Sequence, residues 1–554
     1  MKIKNKINVI LTSLILSATS ALTFSSCGDS LLDTLGDNEE VIQGNKVATI
    51  DQAAGMFLSA QQYMHDLREH KYQYQFNLHI DNYSGYLSLT QNFDGKQPSI
   101  YAYFPDFAGG PQTSFFWTSQ QVLPIIRGAN DLDIRELGAI ASIIYSYSAL
   151  ELSDIYGPFP WWDYKQEKQD PPLTYYPLDQ IYDSLFVDLK AAVDILQEFP
   201  STSDEHQTQI QKILNGYDRI CGKDIATWIE FANSIRLRMA VRMSNVNPER
   251  AKQEAADAIA AGVLRDHNVA YDETLEGKIH PMTYIATKWN DTRLNASFEN
   301  MLKRLKSPML AKWFDKNNKN ITDKEGNVVM AEGSNYIGIR AGIDMPRRDD
   351  TNQFLGYSSP SSTYSYRPVS LFKLSEVLFL KAEAKLRWNV GTEVVSFLYK
   401  KGIEQSFKDE GIGISSQEYK DYIDLESADA TIDYVDPQNP RNNTPGIITI
   451  GVKWNNADDN ETKLEKIITQ KYIANFPMGL EAWNDLRRTG YPKVFPVDDI
   501  GDGSLGNGKL IRRIPWVATE SSTAADIESL GIPALGGGNY QMTRLWWDTG
   551  NNGL

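Results

Sequence analysis

The residues of this 554-residue chain that could do chemistry fall into a few patterns, and the first is Gly28-Asp29-Ser30-Leu31. Those residues spell the nucleophile block of a class of serine hydrolases. Such a serine needs a histidine base, supplied by an Asp-x-x-His pair elsewhere in the chain. The histidines are His65, His70, His79, His206, His267 and His280, and none has an Asp three residues before it. Ser30 also follows an apolar leader, where a hydrolase would place a buried strand. It is read as a passing residue, and no catalytic residue is assigned. A second pattern is Glu376 and Glu383, seven apart and therefore on one face of a helix. Paired carboxylates can do acid–base work, but on a buried helix they are expected to bind an Arg or Tyr of a neighbouring helix. Metal chemistry finds little support. Cys27 and Cys221 are too few for a thiolate cluster. Asp315-Lys316-Asn317 opens like a calcium loop, but Gly is missing at the sixth position and Gly326 stands where the bidentate Glu belongs. Asp498-Asp499-Ile500-Gly501-Asp502 could hold calcium only weakly, so no metal or other cofactor is expected.

Binding fits the composition better than catalysis. The chain has 28 Tyr, 21 Phe and 12 Trp. Aromatic rings stack on the C–H faces of sugars, while Asn, Asp and Arg at the rim bind hydroxyls. Three clusters mix the two kinds: Asp81, Asn82, Tyr83 and Tyr86; Trp289, Asn290, Asp291 and Arg293; and Tyr357 and Tyr364 with Tyr366 among serines. Trp289 stands out because its neighbours in that cluster are all polar. A net charge of −16 disfavours nucleic acid and docking on anionic lipid.

These residues must be positioned by helices, because the periodicity along the body is mostly helical. Lys2, Lys4 and Lys6 precede an apolar run, which ends at Phe24-Ser25-Ser26-Cys27. This reads as a lipoprotein signal over 1–26, with Phe24 in place of the usual Leu. Cys27 is the expected acylation site, and residues 27–46 a polar, acidic tether. Residues 47–554 form one domain. Helical patterns run over 50–69, 132–156, 182–196, 226–243, 371–386, 464–476 and 480–489. Asn247 and Pro248 open a further helix that ends at Gly262. The aromatic stretch within 70–130 keeps no period and is expected to be loop-rich surface, as is 265–365, with a hairpin turn at Asp323-Lys324-Glu325-Gly326-Asn327. The fold class is all-α, built from helical hairpins with loop-rich insertions carrying short β-hairpins.

In that frame the chain resembles the SusD/RagB family of nutrient-binding outer-membrane lipoproteins of Bacteroidetes, in its SusD-like subgroup. The resemblance rests on Cys27-x-x-x-Leu31-Leu32-Asp33, Ile155-Tyr156-Gly157-Pro158-Phe159-Pro160, Arg367-Pro368-Val369-Ser370 through Lys381-Ala382-Glu383-Ala384, Ile468-Thr469-Gln470-Lys471-Tyr472, Gly479-Leu480-Glu481-Ala482-Trp483-Asn484-Asp485-Leu486-Arg487-Arg488-Thr489-Gly490 and Trp546-Trp547-Asp548. It implies an α-superhelix of four tetratricopeptide-like pairs with an irregular lobe. It also implies a non-catalytic protein, lipid-anchored in the outer membrane and surface-exposed. Such a protein captures oligosaccharides, or in some members peptides, and hands them to a SusC-like TonB-dependent transporter. A surface glycoside hydrolase with a helical core is the alternative of a different class.

Overall fold

The computed structural model describes residues 46–93, 105–168, 170–271, 278–323, 325–343, 345–347, 349, 351–497, 510–518 and 521–550. Cys27, the tether up to residue 45 and the acidic stretch 498–502 lie outside them. Its scaffold is a chain of helices: α1 (Ile50–Met64), α2 (Gly110–Gly128), α3 (Arg135–Tyr156), α4 (Leu178–Glu198), α5 (Asp204–Tyr217), α6 (Ile225–Arg242), α7 (Pro248–Ala261), α8 (Leu374–Trp388), α9 (Val395–Asp409), α10 (Asn460–Asn475) and α11 (Gly479–Thr489). Neighbours in sequence pack side by side: α1 on α2, α2 on α3, α3 on α4, α6 on α7, and α8 on α9. That succession makes the tetratricopeptide-like, all-α architecture.

Local chemistry sets the helix ends. The Asn247 side chain accepts the Arg250 N–H, Pro248 occupies the first turn, and Gly262 ends α7 at φ 94°. Gly490 ends α11 in the left-handed region at φ 74°. Small residues allow close approach. Ala251, Ala255 and Ala258 of α7 are wholly buried, and Gly402 of α9 lies against the Phe379 ring of α8.

The expectation of loop-rich surface over 70–130 fails at α2. Pro111 falls in its first turn, where a missing N–H costs nothing, and Pro124 is accommodated inside the helix. Phe115, Trp117, Val122, Leu123 and Ile125 are buried. The glycines and prolines concealed a core helix. α5 and α9 also lie outside the expected helical segments.

Among the described residues three two-stranded antiparallel sheets brace the irregular lobe: β1 (Leu87–Leu89) with β3 (Thr292–Leu294), β2 (Val269–Tyr271) with β6 (Val369–Phe372), and β4 (Ile321–Thr322) with β5 (Val328–Met330). The last is the expected hairpin. Asp323 Oδ1 accepts the N–H groups of Glu325 and Asn327 across its turn, and Gly326 supplies φ 85°.

A buried ion network ties the scaffold together. Arg238 of α6 forks onto Glu376 of α8 at 2.9 and 2.8 Å. Arg242 bridges Asp154 of α3 at 2.8 Å and Glu481 of α11 at 2.5 Å. Arg488 forks onto Glu383 at 2.5 and 2.9 Å, and Lys471 of α10 reaches Asp485 at 2.9 Å. Glu376 and Glu383 thus meet arginines of neighbouring helices. Burial alone would raise the Glu481 carboxyl, but Arg238, Arg242 and Lys471 outweigh it and hold it at about 2. Asp485 is likewise held at about 2 against burial, by Lys471, Arg488 and Arg242. The C-terminal turn docks on this network. Trp547 is wholly buried, its indole N–H donates to Asp154 at 2.9 Å, and the Arg487 guanidinium lies between Trp483 and Trp547.

Candidate ligand-binding surface

The three aromatic–polar clusters meet different fates. Asp81, Asn82, Tyr83 and Tyr86 are buried. Tyr86 packs on Tyr472 at 4.6 Å, Phe298 at 5.0 Å and Phe476 at 5.4 Å, and its hydroxyl donates to the Tyr472 carbonyl. Tyr83 leans on Trp483 at 5.5 Å. Asp81 Oδ1 sits over Gly479, so close that a Cβ there would lie 2.4 Å away. This cluster seats the lobe on α10 and α11; its rings are not offered to solvent. The sequence showed an aromatic–polar mixture but not the partners, which come from the other end of the chain.

Tyr357 and Tyr364 are interior as well. The Tyr357 hydroxyl donates to Asp436 at 3.1 Å and accepts from Gln438 at 2.9 Å. Tyr364 packs on His280 at 5.6 Å and Phe476 at 5.8 Å. Their neighbour Tyr366 is 62% exposed.

The Trp289 cluster divides between inside and outside. Residues Ile285–Trp289 form one π-helical turn, capped by Asn290 in the left-handed region at φ 60°. A π turn places residues five apart beside each other. Tyr284 therefore meets Trp289 edge to face, with ring centres 5.6 Å apart, and both rings are half-buried. Asp291 and Arg293, expected at the rim, are inside and fasten this turn. The Asp291 carboxylate accepts from Gln73 at 2.9 Å and Gln91 at 2.5 Å. Arg293 donates to the carbonyls of Ala286, Thr292 and Leu355 at 2.9, 2.7 and 2.7 Å and to Asn290 Oδ1 at 2.9 Å. Burial pulls the Arg293 guanidinium down to about 10, with Asp291 opposing. Trp289 and Asn290 are left half-buried at the surface, on a turn whose polar groups are tied to three other segments.

Tyr284 was missed in the sequence, and its signal was the five-residue spacing, which an ordinary helix would not use. Tyr74 and Phe93 are also half-buried. They flank Phe107 at 5.5 and 5.9 Å, in chain segments adjoining Gln73 and Gln91. The surface can therefore offer aromatic faces beside an amide, the combination a sugar ring requires. Among the described residues no group of three or more His, Cys, Asp or Glu could hold a metal ion, and no helix is long and apolar enough to cross a membrane.

The chain is similar to a chitin-binding SusD homologue from Flavobacterium johnsoniae, with 29% identity, 90% of this chain and 99% of that one covered, and a TM-score of 0.79. It is similar to a SusD homologue from Bacteroides vulgatus at 25% identity, covering 90% and 98% of the two chains with a TM-score of 0.77. For a homologue from Bacteroides ovatus the values are 26%, 90%, 99% and 0.72. No curated protein matches the chain. The family model for SusD-like proteins, described as SusD and RagB outer-membrane lipoproteins, matches residues 36–548, and the chain belongs to that family.

Proposed function

We propose that this protein captures oligosaccharides at the surface built around Trp289, Tyr284 and Asn290. It hands them, without cleaving them, to a SusC-like TonB-dependent transporter. The observation that carries the reading is the pinned turn: Asp291 and Arg293 spend their hydrogen bonds inside the protein to hold Trp289 and Asn290 at the surface. A rigid aromatic face loses little freedom when a sugar stacks on it. The chitin-binding relative makes β-linked N-acetylglucosamine oligomers the first ligands to try. The outer-membrane lipoprotein family supports acylation at Cys27 after removal of residues 1–26, with residues 27–46 as tether to a surface-exposed body. No calcium or other cofactor is invoked.

Calorimetry with chitin oligomers, followed by a glycan array, tests the ligand class. Saturable binding without release of reducing ends is expected, and Trp289→Ala should abolish most of it. Binding of oligopeptides alongside failure of every glycan would move the protein to the peptide-binding branch. Reducing-end release by purified protein would make it a hydrolase. Co-purification of a TonB-dependent transporter from outer membranes tests the partner.

A further inference from the structure

We propose that a small cavity where the lobe meets the scaffold is a binding site for one internal water molecule, held by His280, Glu151 and the first turn of α11. The cavity offers about 20 Å³ to the centre of a water molecule, and one water needs roughly 10–15 Å³ by that measure. Its wall includes His65, Tyr72, Glu151, His280, Gly479 and Leu480.

The polar atoms in that wall define what fits. His280 is 1% exposed. Its Nδ1 accepts the Met282 N–H at 3.2 Å, so in the neutral ring Nε2 carries the proton and must donate. Among the described residues Nε2 has no hydrogen-bond partner. Burial pulls this ring down to about 3, so it stays neutral. Met478 supplies no side-chain cap to α11, and the first-turn N–H groups of that eleven-residue helix need acceptors. Glu151 adds a carboxylate to the wall, with Oε1 bonded to His65 Nε2 at 2.8 Å; the other carboxylate there, Glu481, is paired with Arg242. A cation would face the His280 N–H and a helix N-terminus. An anion would face the carboxylate of Glu151. Both are disfavoured, and the volume excludes larger solutes. A water molecule can accept from His280 Nε2 and from the helix while donating to Glu151.

A crystal structure of the soluble chain, at a resolution that shows ordered water, decides the matter. One peak within hydrogen-bond distance of His280 Nε2 is expected, and His280→Phe should remove it. A dry cavity, a peak out of reach of His280, or density larger than water would overturn the proposal. The wild-type map is decisive even if the variant fails to fold. In solution, a water-to-imidazole NOE on the His280 ring is expected, and its absence would count equally against the site.

Discussion

Exposure separates the aromatics that can meet a ligand from those that hold the lobe in place. Tyr86 touches Tyr472, Phe298 and Phe476, so Tyr86→Ala should cost about 3–5 kcal/mol in chemical denaturation. Trp289 is half-buried, and Trp289→Ala should weaken glycan binding by about 2 kcal/mol, roughly 30-fold, as a central stacking residue would. Its unfolding midpoint should change far less than that of Tyr86→Ala. If Trp289→Ala lost stability but not affinity, the surface would lie elsewhere. The distinction was not legible in the sequence, because Asp81-Asn82-Tyr83 and Trp289-Asn290-Asp291 have the same local composition. What differs is contact with residues far along the chain. The Tyr86 hydroxyl meets a carbonyl 386 residues away. The polar neighbours of Trp289 did point to the surface, but two of them, Asp291 and Arg293, turn inward to fasten the turn.

At the scale of helices, legibility followed the apolar stripe. α3, α4 and α6 were readable from their stripes, and in α7 Asn247, Pro248 and Gly262 mark both ends as well. α2 was hidden by its own Pro111 and Pro124, and the partly exposed α5 buries only Ile210, Ile213 and Leu214. How the helices join rests on pairs that no periodicity reveals. Glu376 and Arg238 are both buried, and removing Glu376 breaks the fork and leaves Arg238 only the longer contact to Glu481, at 3.5 Å. Glu376→Gln should therefore destabilise by about 3–5 kcal/mol. A loss below ~1 kcal/mol in urea titration would mean that the α6–α8 joint does not depend on this pair. The α8–α9 joint depends instead on absent volume. A Cβ at Gly402 would come within 2.6 Å of the Phe379 ring, so Gly402→Ala should cost about 1–3 kcal/mol despite its better helix propensity. A stabilised variant would show that the ring can yield.

For the molecule as a whole, the buried carboxyls act on stability in opposite directions with pH. Glu481 and Asp485 are held at about 2, below the ordinary values near 4. Their contribution is present above about pH 4 and is lost as pH falls through about 2, when the folded protein must take up protons. Asp81 runs the other way. Burial raises its carboxyl to about 7, with a hydrogen bond from Asn77 opposing, and among the described residues Oδ1 has no hydrogen-bond partner. Between roughly pH 4 and 7 the folded chain therefore keeps a proton that the unfolded chain has released. Stability from this group falls as pH rises through that window, by up to ~4 kcal/mol at about 1.4 kcal/mol per unit. Asp81→Asn mimics the protonated side chain and removes the titration. Relative to wild type, its thermal midpoint should be similar or lower near pH 4 and should gain steadily towards pH 8, while the acid limb set by Glu481 and Asp485 stays where it was. The lobe is seated on α11 through Asp81 over Gly479, so this gain should also appear as slower amide exchange at the start of α11. A pH-independent difference between the two proteins would mean that Asp81 is ionised in the fold throughout, stabilised by the α11 N-terminus, and that the helix dipole outweighs burial at this joint.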